Sequence, residues 1–293
     1  MNLALTVLNI TAPVFLLAGV GFVWVKLGFD YRVEFVTRMA MTLAVPCLIF
    51  VALMQTKIAP EQLATLSLAA FAAYALVMVV SFLVVKGAKL DIATYLAPIS
   101  FGNTGNIGLP LALFAFGESG LGFAVVVFAV MAILSFTLGI WFVSGGGSLL
   151  RLVQEPLVGA TLLGALFLWQ GWQTPEFLTN ALGLIGDMAI PLMLITLGVA
   201  VARLETKAIG RAVALSVIKL VVCIAAAWTT AKLFGLDQVP AAILIMQVAT
   251  PVAVTSYLLA EKYGADAQPV AGLVVVSTLL SVIAFPILLA FLI

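Results

Sequence analysis

The hydrophobic residues of this chain occur in long runs, and short polar clusters separate one run from the next. The runs are about 20 residues long, which is the length that a helix needs to cross the hydrocarbon core of a bilayer. The clusters include KLGFDYRVE, QTKIAPE and GWQTPE, and none is long enough to form a separate soluble domain. Dividing the chain at the clusters predicts ten membrane-spanning helices. They cover residues 6–27, 34–55, 61–86, 91–117, 119–144, 152–172, 176–201, 208–234, 238–262 and 267–292.

The composition supports a membrane protein and excludes the soluble classes. Of the 293 residues, 65% are hydrophobic and 9% are charged, and the mean hydropathy is +1.29. The expected surroundings are therefore a lipid bilayer, and a net charge of +1 gives no reason to expect a nucleic acid as partner. The first run has no basic leader and no small-residue cleavage site, so we expect it to be a retained helix. Cys47 and Cys223 lie in apolar runs, where small buried side chains are expected rather than a disulfide.

The distribution of basic residues predicts the orientation of the chain. Cytoplasmic loops of membrane proteins carry an excess of Lys and Arg. Two basic residues, Lys57 and Lys232, follow even-numbered spans, whereas ten follow odd-numbered spans. The ten are Lys26, Arg32, Arg38, Lys86, Lys89, Arg151, Arg203, Lys207, Arg211 and Lys262. Both termini are therefore expected on the outer side of a cytoplasmic (inner) membrane.

Two pairs of stretches indicate that the second half of the chain repeats the first. LAVPCLI in span 2 resembles MAIPLML in span 7, and Pro46 matches Pro191 at an offset of 145 residues. At an offset of 143 residues, span 1 matches span 6 at Pro13 with Pro156, Gly21 with Gly164 and Gly28 with Gly171. Each half has five spans, an odd number, so the second copy must enter the membrane from the other side. We therefore expect two inverted five-helix repeats, residues 1–146 and 147–293, as is typical of secondary transporters.

Spans 4 and 9 are apolar at both ends and contain helix-breaking residues in the middle. Span 4 contains SFGNTGNIGLP, with Gly102, Gly108 and Pro110, and span 9 contains MQVATPVAVTS around Pro251. Unwound backbone at membrane depth is tolerated only where it faces protein or a water-filled cavity. Paired breaks in matching spans of two repeats point to a substrate site. The alternative is that these residues only allow close packing of helices.

A substrate site at these breaks would favour an anion. Two broken helices that cross would direct half-helix amino termini, with free amides and positive dipole ends, into one cavity. We therefore expect a small organic anion with a carboxylate group as the substrate, and its identity stays open. The predicted substrate-binding residues are Asn103, Thr104, Gly105, Asn106, Gln247, Thr250, Pro251 and Thr255.

Two ionisable residues, Asp187 in span 7 and Lys219 in span 8, are predicted to lie deep in the membrane. Such charges are costly and are therefore candidates for function. They could serve the coupling of transport to an ion, or they could form a structural ion pair, and the sequence leaves both open. No cofactor and no metal site are predicted, and a coupling ion, H⁺ or Na⁺, is not determined.

A channel and an enzyme are the alternatives to a carrier. Inverted repeats also occur in channels, so an anion channel stays open. GESG at residues 117–120 resembles the serine context of an intramembrane protease, but the chain contains no histidine for a serine–histidine or a histidine-ligated zinc mechanism. An enzyme is therefore not expected.

Several motifs resemble the auxin efflux carrier family over essentially the whole chain. They are NTGNIGLPL at residues 103–111, QVATPVAV and AEKYG between residues 247 and 264, and the Pro residues of spans 2 and 7. The family includes plant PIN-type carriers and bacterial carriers of malonate, malate and similar acids. Plant members have Pro where this chain has Gly102, and in place of their long cytoplasmic loop this chain has SGGGSLLRLVQE.

The resemblance implies an all-α membrane protein with ten helices in two inverted repeats. It also implies a scaffold and a transport domain, a crossing of spans 4 and 9, and elevator-like alternating access. The family's crossover Asn corresponds to Asn103 and its ninth-span Pro to Pro251. A homodimer through the scaffold domain is left open.

Overall fold

The computed structural model describes residues 3–144, 156–204 and 209–293, and these residues form helices and short connections without a β-strand. The helices are α1 (Leu3–Lys26), α2 (Val33–Gln55), α3 (Pro60–Gly87), α4a (Ile92–Ser100), α4b (residues 104–116), α5 (residues 118–144), α6 (Pro156–Gln170), α7 (Glu176–Arg203), α8 (Ile209–Leu233), α9a (Gln238–Val248), α9b (Val254–Tyr263) and α10 (Ala267–Leu292). The predicted boundary between the halves, Arg151 and Lys207 lie outside the described residues.

Seven helices in the described part of the chain are long and apolar enough to cross a membrane. They are α1, α2, α3, the segment Thr104–Ser144, α7, α8 and α10. The segment Thr104–Ser144 comprises two helices, α4b and α5. They are separate because the backbone at Gly117, with φ 65° and ψ −157°, is not helical. Spans 4 and 9 of the sequence prediction are each divided into two half-helices.

The break in span 4 is shorter than the sequence predicts. Helix α4a ends at Ser100 and α4b begins at Thr104, so Gly108 and Pro110 lie inside α4b and do not interrupt it. The first turn of α4b is a π turn, in which the N–H of Gly108 donates to the carbonyl of Asn103 at 3.4 Å. Pro110 follows in the first regular α-helical turn, where its missing N–H costs little.

Glycines bring two pairs of helices close together. A Cβ atom on Gly198 of α7 would collide with the backbone of α1, and one on Gly21 of α1 would collide with the carbonyl of Ile195 in α7. A Cβ atom on Gly164 of α6 would lie 3.0 Å from Cβ of Leu53 in α2. Small residues allow such close backbone contact between membrane helices. Helix α1 therefore packs on α7, and α6 packs on α2.

The two broken helices lie in the centre of the structure. Residues 94–105 and 242–253 are buried without interruption. Helices α3, α5, α8 and α10 all contact the half-helices α4a and α9a. The interruption of regular backbone therefore occurs where other helices surround it, as membrane depth requires.

Candidate functional site

The unwound segments of the two broken helices are in direct contact. Gly102 and Val252 form an antiparallel bridge, and the N–H of Asn103 donates to the carbonyl of Pro251 at 2.7 Å. Glycine is needed at position 102 because a Cβ atom there would collide with the side chain of Thr250. The two unwound segments therefore meet backbone to backbone, and we call this contact the crossover (residues 101–103 and 249–253).

Asn103 begins helix α4b and caps it. Its Oδ1 accepts a hydrogen bond from the N–H of Asn106 at 3.3 Å, and its carbonyl accepts one from the N–H of Ile107 at 3.1 Å. The side chain is 5% exposed, and within the described structure its Nδ2 has no hydrogen-bond partner. Buried amide donors are almost always satisfied in folded proteins. The Asn103 amide is therefore free to donate to a ligand.

Helix α9b begins after Ala253, a residue whose side chain cannot accept a capping hydrogen bond. The first N–H groups of a helix have no partner within that helix. The N–H of Val252, just before the helix, is already used, because it donates to Ser277 Oγ in α10 at 2.9 Å. The start of α9b therefore presents amides that a side chain has not capped.

A cavity of about 80 Å³ lies where α4b and α9b begin. Helices α2, α5 and α7 complete its walls. Its polar lining consists of Thr37, Asn103, Asn106, Ser135, Thr196, Thr255 and Ser256. Its apolar lining includes Phe101, Phe128, Met131, Phe136 and Met193. Among the described residues that line it, none is charged.

Two helix amino termini give this cavity a positive potential without a basic side chain. Each contributes about half a unit of positive charge, and the effect is strongest within the first turn. Backbone N–H groups at such a terminus bind carboxylates and phosphates directly. The cavity can therefore hold an anionic group through main-chain amides and Asn103, while the apolar walls contact the rest of the molecule.

A loop is fastened beside this cavity by hydrogen bonds. The Thr196 hydroxyl donates to the carbonyl of Leu192 at 2.7 Å, so it must accept from the Tyr31 hydroxyl, which is 2.8 Å away. Arg203 donates to the carbonyl of Tyr31 at 2.8 Å. Burial raises the pKa of the Tyr31 phenol, and the bond to Thr196 lowers it in part. The phenol thus stays a donor, and the loop between α1 and α2 is attached to α7.

The structure brings some of the predicted site residues together and separates the others. Gly102, Asn103, Gly105, Asn106 and Thr255 line the cavity. Thr104, Gly108, Pro110, Gln247, Thr250 and Pro251 are not part of its lining as described. Thr250 and Pro251 instead line a second, smaller cavity between the crossover, α8 and α10.

Gln247 and Thr250 hold the crossover together. Gln247 Nε2 donates to the carbonyl of Ala124 in α5 at 3.3 Å, and its Oε1 lies where a Cβ atom on Gly108 would be. The Thr250 hydroxyl donates to the carbonyl of Gln247 at 2.7 Å. The amide nitrogen of Gln247 and the hydroxyl of Thr250 therefore serve contacts within the protein, whereas Gln247 Oε1 is buried without a hydrogen-bond partner among the described residues.

Asp187 and Lys219 are not brought together. Asp187 is exposed at the end of the first part of α7, Glu176–Asp187, and lines a wide cavity of about 900 Å³ with Lys57 and Glu118. Its side chain faces this cavity and is not packed in the protein interior. Lys219 is 2% exposed in α8 and lines the smaller cavity. Over the described ranges the two residues form no ion pair.

Several lining residues were not predicted from the sequence, including Phe101, Phe128, Met131, Met193 and Thr196. Phe128, Met131 and Met193 lie in runs that are apolar on every side, so hydropathy does not show which face points inward. Of these five residues, Thr196 could have been identified from the sequence, because it is a polar residue within an apolar span.

Comparison with known proteins agrees with this description. The chain matches the family model described as membrane transport protein twice, over residues 6–148 and 143–289. It is 26% identical over 193 residues to a protein of Methanocaldococcus jannaschii (strain DSM 2661) named as an uncharacterized transporter. That alignment covers 62% of this chain and 62% of the relative, so the chain spans a little less than two thirds of the relative's length. The chain belongs to the membrane transport protein family, the auxin efflux carrier family that its motifs resemble, and is a multi-pass membrane protein.

Proposed function

We propose that this protein is a secondary carrier that moves a small organic anion with a carboxylate group across the cytoplasmic membrane. The observation that carries the proposal is the buried Asn103 amide, which lacks a partner among the described residues and lines a cavity beside two helix amino termini. A hydrogen bond to a charged group contributes about 1.5–3 kcal/mol. Asn103 and a few main-chain amides can therefore retain a carboxylate without a buried basic side chain.

The walls of the cavity indicate what the rest of the substrate looks like. Phe128, Met131 and Met193 are apolar, and ligand sites commonly combine such walls with a few polar groups that fix orientation. Thr37 and Ser135 offer neutral hydroxyls for further polar groups of the acid. We therefore expect an organic acid with a hydrocarbon part, in preference to an inorganic anion.

The proposed architecture has ten spans in two inverted halves, residues 1–146 and 147–293, with both termini outside. Two observations support it. The family model matches once in each half. The glycine contacts are also paired, because Gly21 of α1 packs on α7 as Gly164 of α6 packs on α2. This pairing is what a repeat related by a two-fold axis would give.

The same packing supports the proposal of elevator-like alternating access. Helices α1, α2, α6 and α7 contact one another and form the proposed scaffold, whereas α3, α4a, α8, α9a and α10 surround the crossover and form the proposed transport domain with α5. The cavity has α2 and α7 on one wall and the crossover on another. Sliding of one group past the other would open it to alternate sides of the membrane.

The experiment is a binding and uptake measurement on Asn103→Ala. Purified protein is first screened against organic acids by thermal unfolding, with and without Na⁺, and uptake of the best acid is then measured in proteoliposomes. Loss of one hydrogen bond to a charged group should weaken binding roughly ten- to a hundredfold. Asn180→Ala, which changes an exposed Asn of α7, is the control and should bind as the wild type does.

Two results would contradict the proposal. If Asn103→Ala binds and transports the acid as the wild type does at matched expression, the cavity is not the substrate site. If uptake does not saturate and is not stimulated by acid inside the vesicles, the protein is an anion channel.

A further inference from the structure

Lys219 is a buried basic residue that the proposed anion cavity does not use. Its side chain is 2% exposed, and its Nζ donates a hydrogen bond to Cys223 Sγ at 3.7 Å. Within the three described ranges, no carboxylate oxygen lies within 4.0 Å of this Nζ. A buried charge is costly unless other groups stabilise it. The surroundings of Lys219 must therefore supply that stabilisation.

Those surroundings include a small cavity between α8, α10 and residues 249–251. Its volume is about 10 Å³, which is room for about one water molecule. Lys219, Ser216, Thr250, Ser277 and Ser281 line it. As far as the structure describes the chain, it shares no lining residue with the larger cavity. It is therefore a separate site at the same crossover.

Three of the four hydroxyl groups that line this cavity are arranged as acceptors. Thr250, Ser277 and Ser281 each donate the hydroxyl proton to a backbone carbonyl, at 2.7, 3.4 and 2.6 Å. A hydroxyl has one proton. These three oxygens can therefore offer lone pairs to the cavity and cannot also donate to an anion, although one lone pair of Ser277 Oγ already accepts from the N–H of Val252. The fourth hydroxyl, that of Ser216, has no partner among the described residues and can accept as well.

The carboxyl end of α9a adds further negative character. Helix α9a ends at Val248, beside the same cavity. Pro251 has no N–H, and the N–H of Val252 donates to Ser277 Oγ, so neither continues the hydrogen-bond ladder of α9a. The carboxyl terminus of a helix carries about half a unit of negative charge. The cavity is therefore suited to a cation.

We propose that the ammonium group of Lys219 is a tethered cation, which fills a monovalent-cation site formed by the carboxyl end of α9a and the hydroxyl groups around it. The positive amino terminus of α9b then faces the larger cavity, and the negative carboxyl terminus of α9a faces Lys219. The inference goes beyond the proposed function, because it concerns the crossover itself, whatever acid the protein carries. It follows that no inorganic cation is needed at this position.

The test removes the tether and supplies a free cation. The midpoint of thermal unfolding is measured for the purified full-length protein in detergent, in choline chloride titrated with sodium, potassium or methylammonium chloride at constant ionic strength. Lys219→Ala opens the site, Lys219→Met fills it without a charge, and Lys232→Ala removes an exposed lysine at the end of the same helix. No organic acid is present, so the result does not depend on the proposed substrate.

Lys219→Ala should melt below the wild type, and at least one small cation should raise its midpoint by about 2–4 °C in a saturable way. The wild type, Lys219→Met and Lys232→Ala should not respond. The proposal is overturned if Lys219→Ala does not respond to any of the three cations. The wild type provides a second test that holds even if Lys219→Ala does not fold. Saturable stabilisation of the wild type by sodium would show that the cation site is vacant, and stabilisation by chloride relative to gluconate would show an anion site.

Discussion

At the scale of single residues, two glycines make room for the side chains that hold the crossover. A Cβ atom on Gly102 would collide with Thr250, and one on Gly108 would collide with Gln247. Neither glycine has a positive φ, so the requirement at both positions is space and not backbone freedom. Glycine is therefore needed at these positions for a second reason besides the break in the helix, which is the close contact between spans 4 and 9.

Gly108→Ala should lower the free energy of unfolding by about 1–3 kcal/mol, the usual cost of adding a methyl group to a fully packed position. The measurement is thermal or denaturant unfolding of the purified protein. Gly159→Ala, at a glycine of α6 with open space around it, is the matched control and should be neutral or slightly stabilising. Equal stability of the two variants would mean that Gln247 moves aside without cost.

At the scale of elements, span 9 is divided into two half-helices because residues 251 and 252 do not donate helical backbone hydrogen bonds. Pro251 cannot donate, and Val252 donates to Ser277 in α10 instead. Asn103 then donates to the carbonyl of Pro251 and joins the two broken spans. The break is therefore stabilised from α4b and α10 as well as by the proline itself.

Pro251→Ala returns one N–H to the end of α9a, where it would compete with the N–H and the hydroxyl of Thr250 for the carbonyl of Gln247 and favour a further α-helical turn. We expect transport to fall while the folded protein persists, because a longer α9a would displace the start of α9b from the cavity. Uptake into proteoliposomes and thermal unfolding are compared at matched protein levels. Pro286→Ala, inside α10, is the control for loss of a helical proline. Unchanged uptake in Pro251→Ala would show that the other contacts suffice to keep the break open.

At the scale of the whole molecule, two groups of helices meet at the cavity. Close contacts at Gly21, Gly164 and Gly198 join α1 to α7 and α6 to α2, and the remaining helices enclose the crossover. The loop between α1 and α2 is attached to α7 through the hydrogen bonds of Tyr31, so it belongs to the group of α1, α2, α6 and α7. The proposed motion therefore has its boundary at the cavity and leaves the crossover intact.

The proposed topology predicts that both termini are accessible from outside. Cysteines introduced beside Met1 and Ile293 should react with a membrane-impermeant thiol reagent in intact cells. The background lacks Cys47, which is half-buried, and Cys223, which is buried. A cysteine at Lys89, in a predicted cytoplasmic loop, should react only after permeabilisation. Reversed labelling of these positions would contradict the inverted arrangement of the two halves.

The breaks in spans 4 and 9 could be predicted from the sequence, because Gly and Pro at membrane depth have few other uses. The position of Asn103 beside a cavity at the break could be predicted with them, because Asn103 lies within the interrupted stretch. The hydrogen bonds that Gln247 and Thr250 make to backbone carbonyls could not be predicted, since the sequence shows that a polar side chain needs a partner but not which one. The exposure of Asp187 to a wide cavity could not be predicted either, because counting along a span gives the position in the helix but not which side chains a cavity reaches.

The apolar walls were beyond prediction for a different reason. In soluble proteins, the hydrophobic face of a helix identifies the side that packs inward. In membrane helices both faces are apolar, so Phe128 and Met131 look no different from their lipid-facing neighbours until the fold is known.

The use of main-chain amides at the cavity has a consequence for how such proteins diversify. A peptide N–H is present whichever side chain other than proline a codon specifies, so most single substitutions leave the amides of α4b and α9b, the proposed anion-binding groups, in place. Phe128, Met131 and Met193, in contrast, contribute only side chains to the walls, and each can be exchanged individually. If the proposed function is right, descendants of one ancestral gene can therefore come to accept acids of different shape while inheriting the same means of holding the carboxylate.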